Sequence, residues 1–336
     1  MKKRALALLM AGAMTLCMTA CSGKTDSGSS SAAASSGSAS TIIASSDMKF
    51  GIVVKSLADQ HWAIVKAGAE QAAKDYGVSV DVIGPNAESE VQQQVEMIEN
   101  KIGQGVDALA IAPATPDTVL SVLEQADAAG IPVLAIDTDI PNYENKKSFI
   151  GTGNEKAGEM GGAYAAELVG EGAKAIVLRG RAGDTTHDQR EAGIVSALEA
   201  GGVEVLEVRD CMAEAEKAMN AVQDMLNRYS QIDVVVTTCD SMAQGAQRAI
   251  EGANLETPVV GFDGTIPVAE LIVEGSVIKA TVAQAPFEMG YLAVENMIKL
   301  ANGETIEERI DSGAKLITIE NAQEYIDDQK AKIGES

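Results

Sequence analysis

Two textures alternate along the chain from Lys49 onward. Short Val/Ile-rich runs recur as KFGIVVKS, VSVDVIG, DALAIAP, PVLAID, AIVLRG, VEVLEVRD, DVVVTTC, PVVGFD and KATVAQ. Near-continuous apolar runs of this length suit strands buried on both faces. Between them lie longer segments with three-to-four spacing, such as Trp62, Val65, Ala69, Ala72, Ala73 and Tyr76, or Val91, Val95, Ile98 and Ile102. That period predicts amphipathic helices packed on a sheet. Strand and helix alternating throughout predict an α/β fold of doubly wound, parallel sheets with right-handed crossovers. Glycines in YGVSV, QGVDALAI and GGVEV fit helix C-caps that feed the next strand.

A weak internal echo divides the alternation. Ala108–Pro113, a helix and Ile131–Asp137 have a counterpart in Val234–Asp240, a helix and Pro258–Asp263. Both pairs end in an acid at the carboxyl end of a strand, where open α/β sheets bind ligands. Two such sheets with facing carboxyl ends would enclose a cleft, and closure would be a hinge motion.

The first 46 residues have another character. Met1-Lys2-Lys3-Arg4 is a positive n-region, Ala5 to Met18 a short apolar run, and Met18-Thr19-Ala20-Cys21 resembles a bacterial lipobox. The apolar run is too short for an ordinary membrane span. The reading is a lipoprotein signal over 1–21, with Cys21 lipidated and the mature chain anchored on the outer face of the cytoplasmic membrane. Residues 22–46 are almost wholly Ser, Ala, Gly and Thr, a flexible tether that cannot bury a core. Net charge is −23, and three units more negative once Lys2, Lys3 and Arg4 leave with the signal. So acidic a chain, with no later basic run, argues against nucleic acid and polybasic membrane docking.

With Cys17 removed and Cys21 lipidated, Cys211 and Cys239 remain, without metal-type spacing. No metal or cofactor is implied. There are two histidines, His61 and His187, and no His-Glu-x-x-His, Gly-x-Ser-x-Gly or phosphate-binding loop. Gly151-Thr152-Gly153-Asn154 starts like a dinucleotide fingerprint but lacks the third glycine, and reads as a turn with Asn154 capping the next helix. Asp137 with Asp263 could cut glycosides only if one pKa were raised, and no further motif accompanies them. The chain is therefore expected not to be an enzyme.

Five segments carry a family resemblance: Val53-Val54-Lys55-Ser56-Leu57-Ala58-Asp59-Gln60-His61-Trp62, Ala135-Ile136-Asp137, Asp240-Ser241-Met242-Ala243, Val260-Gly261-Phe262-Asp263-Gly264-Thr265 and Ala280-Thr281-Val282-Ala283-Gln284. In order along the whole folded part, they resemble the type 1 periplasmic sugar-binding proteins, in their ribose- and allose-binding branch. The resemblance implies two doubly wound lobes joined by three hinge strands, near Gly151, near Gln284 and near residue 313. The first lobe would hold 47–151 and 285–312, the second 152–284 and 313–336. It implies a monomer that captures a monosaccharide or sugar-like ligand in the cleft and presents it, closed, to the permease and ATPase of an ABC importer. The alternative is a ligand-binding module for a signalling receptor, taking a furanosyl autoinducer-type signal or a cationic amino sugar.

The same resemblance gives the candidate site. Asp137, Asp263 and Gln284 would bond sugar hydroxyls, as carboxylates accept and an amide both donates and accepts. Trp62, the only tryptophan, would stack on the sugar, or else anchor the core. Lys55 matches a lysine of the allose-binding branch, Asp59 stands where asparagine is frequent, and His61 where an aromatic ring is usual. Thr138 and Asp188 stand where the ribose-binding branch has arginine, Cys239 where asparagine contacts the sugar, and Arg190 completes the set. The phenylalanine that covers the sugar from the second lobe is missing, with Met212 or Ala213 nearest. These departures point away from ribose and leave a hexose, an inositol or an amine-bearing sugar open. Cys211 and Cys239 would lie on strands flanking the second lobe's first strand, about 10 Å apart. That exceeds disulfide reach and predicts a free thiol at Cys239 on the cleft wall.

Overall fold

The computed structural model describes residues 43–58, 60–87 and 89–334. The signal segment, Cys21, most of the tether and Asp59 lie outside the described residues. Among the described residues no helix is long and apolar enough to cross a membrane.

The chain first lays down β1 (Lys49–Val53), β2 (Ser79–Ile83), β3 (Ala108–Ile111), β4 (Val133–Ile136) and β5 (Ser148–Gly151), with α1 (Gln60–Tyr76), α2 (Val91–Gly103) and α3 (Leu120–Ala128) between the first four. It then repeats the plan. β6 (Lys174–Arg179), β7 (Glu204–Asp210), β8 (Val234–Thr237), β9 (Val259–Asp263) and β10 (Ile278–Gln284) alternate with α4 (Asn154–Val169), α5 (Thr185–Ala200), α6 (Ala215–Arg228), α7 (Asp240–Gly252) and α8 (Ile266–Val273). Four closing elements follow: α9 (Pro286–Ala301), β11 (Arg309–Asp311), β12 (Ala314–Thr318) and α10 (Ala322–Lys332).

The strands form two six-stranded sheets, ordered β2-β1-β3-β4-β5-β11 and β7-β6-β8-β9-β10-β12. The shared order is the physical basis of the echo in the sequence. It places one switch point between β1 and β3 and another between β6 and β8, where the strand ends splay open for a ligand. Among the described residues every pairing is parallel except β10 with β12, an antiparallel edge. β3, β4 and β8 are buried along their whole length, as continuous apolar runs require. The nine apolar runs all appear as strands. β5, β11 and β12 add three more, too short or too polar to stand out as runs: SFIG, RID and AKLIT.

Over the described residues the chain passes between sheets three times, after β5, after β10 and after β11. The first and third passages are tied: Gly153 N and Gly313 N each donate to Asp311 Oδ1 at 2.9 Å, and Ser312 N donates to Gly151 O at 2.9 Å.

Glycine sets how closely the helices pack. A Cβ on Gly68 of α1 would lie 1.9 Å from Phe287 O, and one on Gly290 of α9 would lie 1.9 Å from Val65 O, so these helices cross backbone to backbone. α4 and α5 repeat the device at Gly158 and Gly193. Gly77, Gly105 and Gly202 all have positive φ, as the predicted C-caps require. One expectation fails in detail. The buried face of α2 is Gln94, Ile98 and Lys101, with Val91, Val95 and Ile102 only half-buried at its margins. Lys101 lays its stem across the sheet and brings its ammonium to Asp81 at the edge.

Candidate functional site

The strand ends of both sheets build the walls of a cleft. On the first wall, Asp137 follows β4 with a left-handed backbone (φ 60°), while Lys55 lies just beyond the end of β1. Lys55 Nζ is 3.6 Å from Asp137 Oδ1, His61 Nε2 is 3.2 Å from Oδ2, and Thr138 Oγ1 donates to Oδ1 at 2.9 Å. Burial alone would raise the Asp137 carboxyl. The His61 hydrogen bond and the Lys55 charge outweigh it and hold the group well below the usual carboxylate range. His61 stands edge-on to Trp62, with ring centres 4.7 Å apart, and Lys55 Nζ lies 5.6 Å from the Trp62 ring centre. Trp62 is 3% exposed and belongs to the core of the first sheet, yet also borders the cleft.

Gln94 holds this wall from behind. Its Nε2 donates to Val54 O and Ala112 O, each at 2.9 Å, and its Oε1 accepts from Ala114 N at 2.9 Å. One buried amide thus fixes the splayed ends of β1 and β3, beside Lys55 and Thr115.

On the second wall, Arg190 is 5% exposed and stacks 3.9 Å from the ring centre of Phe262. Its Nε donates to Asn154 Oδ1 at 2.9 Å, and its Nη1 to Thr238 O at 3.1 Å and to Asp263 Oδ1 at 2.9 Å. Asp263, with φ 121°, also accepts from Gln284 Nε2 at 3.1 Å. Gln284 Oε1 in turn accepts from Thr152 Oγ1 at 3.0 Å. His187 bonds Thr238 Oγ1 through Nδ1 at 2.8 Å. Burial first, and Arg190 next, push its pKa down and favour the neutral ring.

Beneath Asp263 lies Asp240, 2% exposed, which accepts from Thr265 N, Thr265 Oγ1 and Thr281 Oγ1. Burial, reinforced by the charge of Asp263, pushes its carboxyl up to about 7. Gly261 makes room for it, since a Cβ there would lie 2.5 Å from Asp240 Oδ1.

Two cavities meet at Asp137 and Gln284, which border both. One, about 690 Å³, is bounded by polar groups including Lys55, Thr138, Asn154, His187 and Arg190. The other, about 500 Å³, carries Trp62, Ile64, Ile266 and Pro286 opposite Asp263 and Ser241. Either volume suits a small-molecule site.

Of the candidate residues, Lys55, His61, Trp62, Asp137, Thr138, Arg190, Asp263 and Gln284 gather at these cavities, and Asp59 lies outside the described residues. Asp188 and Cys239 stand apart. Asp188 turns toward Arg179 and accepts from Gly183 N, and neither cavity touches it. Cys239 is buried in the core of the second sheet, its Sγ 3.1 Å from Ser241 Oγ. Cys211 and Cys239 are both free thiols, and β7 and β8 do flank β6. Asn154 is not the cap of α4: Gly153 holds that position without a side-chain bond, and Asn154 orients Arg190 instead. Sequence reasoning gave no site role to Gln94, Thr152, Asn154 or His187. The nearest signal for His187 was the pair of candidates Asp188 and Arg190, one and three positions beyond it.

Residues 50–305 match the periplasmic binding protein domain family. The ribose import binding protein of Escherichia coli (strain K12) is 30% identical over 267 residues, covering 79% of this chain and 89% of that protein. The D-ribose/D-allose-binding protein of Pseudomonas aeruginosa is 29% identical over 272 residues, covering 78% and 85%. Among solved structures, the arabinose-binding protein AraP from Geobacillus stearothermophilus superposes with a TM-score of 0.77 at 25% identity, covering 83% of this chain and 99% of that one. The relatives are binding proteins, not enzymes. On its repeated five-strand order, its three passages between sheets and this match, the chain belongs to the type 1 periplasmic binding proteins, in the sugar-binding branch of the ribose- and allose-binding type.

Proposed function

We propose that this protein captures a neutral monosaccharide or cyclitol in the cleft between its two lobes and delivers it, by hinge closure, to the permease and ATPase of an ABC importer. The observation that carries the ligand class is charge pairing. Asp137 has Lys55 and His61, and Asp263 has Arg190, so each cleft carboxylate already faces its own cation. What is left for a ligand is hydrogen-bonding capacity: carboxylate lone pairs, the second N–H of Gln284 and the N–H groups of Lys55 and Arg190. A ring of hydroxyls, each both donor and acceptor, satisfies that remainder, whereas an ammonium would meet the resident charges of Lys55 and Arg190. Trp62 would supply the apolar plate for the C–H face of the ring.

In the same reading the lobes are 47–151 with 285–312 and 152–284 with 313–336, and they close about the three passages. A ligand that touches both walls favours the closed form by its differential affinity. The protein works outside the cytoplasm as a monomer, held to the membrane by a lipid on Cys21. Relatives named for ribose, allose and arabinose support a sugar as the solute.

Thermal unfolding of the chain from residue 45, screened against ribose, allose, arabinose, myo-inositol and glucosamine, tests the reading. A ligand at about 100 times its Kd should add roughly 2.7 kcal/mol and raise the midpoint, with a change in Trp62 emission. A rise with glucosamine alone overturns the neutral class. No rise with any of them overturns sugar capture.

A further inference from the structure

We propose that Thr152 is a positioning residue for the site: its buried hydroxyl holds the carbonyl of Gln284 and thereby aims the free N–H of that amide at the ligand. The inference rests on the sugar-binding reading above and deepens it. Thr152 sits in the first passage between the sheets, Gln284 at the end of β10 where the second passage begins. Thr152 is 2% exposed, and its Oγ1 donates to Gln284 Oε1 at 3.0 Å. The other end of the amide donates to Asp263 Oδ1, 3.1 Å away, which also receives Arg190 at 2.9 Å.

A primary amide offers one oxygen with two acceptor lone pairs and two N–H donors. Here the oxygen faces a hydroxyl buried in the hinge, and one N–H is spent on Asp263. One N–H is left, on a side chain that borders both cavities. The ligand atom opposite it must therefore be an acceptor. The chain of bonds from Arg190 through Asp263 and Gln284 to Thr152 also runs from the second wall into two of the three passages, so the amide is held in one pose by groups that move with the hinge.

Thr152→Val keeps the shape and removes the hydroxyl; Thr152→Ser restores it. The side-chain amide signal of Gln284 in a ¹⁵N-labelled protein, assigned with Gln284→Glu, reads the pose without any ligand. It should move, and its protons exchange faster, in Thr152→Val but not in Thr152→Ser. Affinity for whichever of ribose, allose, arabinose or myo-inositol binds the parent protein should fall roughly three- to tenfold in Thr152→Val and stay within about twofold in Thr152→Ser. The unfolding midpoint of the unliganded protein serves as the control for a merely structural loss. An unmoved amide signal overturns the proposal, as does a moved signal with unchanged affinity. If none of the four sugars binds the parent protein, the sugar-binding reading falls, and the amide signal still decides whether Thr152 sets the pose of Gln284.

Discussion

Arg190 and Asp263 face each other at 2.9 Å across the second wall, and the two are unequal partners. The arginine side chain is 6% exposed and the carboxylate 27%. Arg190 also holds Asn154 and Thr238 O and lies on the face of Phe262, so it is the internal strut of the site, while Asp263 presents its remaining valence to the cleft. Replacing Arg190 by Met takes this donor from an amide oxygen and a backbone carbonyl and leaves Asp263 with Gln284 Nε2 but without its arginine. The expected loss is about 3 kcal/mol, at the low end for breaking a buried pair because Asp263 keeps some water. Urea unfolding measures it, and a loss under about 1 kcal/mol would show that water replaces the guanidinium.

Gln94 predicts a different kind of failure. Gln94→Leu keeps the volume but abandons two carbonyls and one N–H at the ends of β1 and β3. Each buried group left unsatisfied costs about 1–3 kcal/mol, so a destabilisation of at least about 2 kcal/mol is expected in urea. The splayed strand ends should also let Lys55 drift from Asp137. Ligand affinity should then fall in the fraction that remains folded, which calorimetry below the unfolding transition would register.

Strands such as ALAI and VVVT could be read from the chain because burial on both faces leaves no polar position to confuse the pattern. Asp137 and Asp263 were legible for a related reason: an acid at the end of such a run has nowhere to go but the carboxyl edge of the sheet. β11 and β12 were not legible, since three or five residues at a sheet edge carry little hydrophobic signal. The site residues that escaped share a cause as well. Gln94, Thr152 and Asn154 act through partners 18 to 132 positions away, and no local spacing encodes such contacts. His187 and Asp188 show how fine the margin is. One step along α5 turns a side chain by about 100°. Asp184 caps α5 by accepting from Thr186 N and His187 N, and the helix phase then sends His187 to the cleft and Asp188 to Arg179.

The thiols give a direct chemical test. Cys211 and Cys239 are buried and free, and burial raises each to about 11, helped at Cys239 by the charge of Asp263. Thiolate is the reactive form, so the native chain from residue 45 should resist iodoacetamide at pH 7. Unfolding in guanidinium without reductant should then add two adducts, one for each cysteine. An unfolded protein with no adduct would mean a Cys211–Cys239 disulfide and a wrong placement of β7 and β8 around β6.

Asp240 makes stability depend on pH in a direction opposite to most carboxylates. Its ordinary value of 3.8 describes the unfolded chain, and the folded chain raises it to about 7. Between these values the folded state holds a proton that the unfolded state has released. Stability from this group is therefore complete below about pH 4 and is lost as pH rises through 7. Asp137 works the other way: its lowered carboxyl contributes above the usual carboxylate range and loses its contribution as pH falls through that range. Asp240→Asn separates the two. The amide can still accept from Thr265 N and pair with the Thr281 hydroxyl, but it never acquires the charge that burial and Asp263 oppose. Urea midpoints from pH 4.5 to 8 should show the variant gaining on the parent steadily as pH rises, with the difference levelling off above about 7.5. Parallel curves would mean that Asp240 is ionised throughout, stabilised by its three hydroxyl and amide donors more than it is penalised by burial.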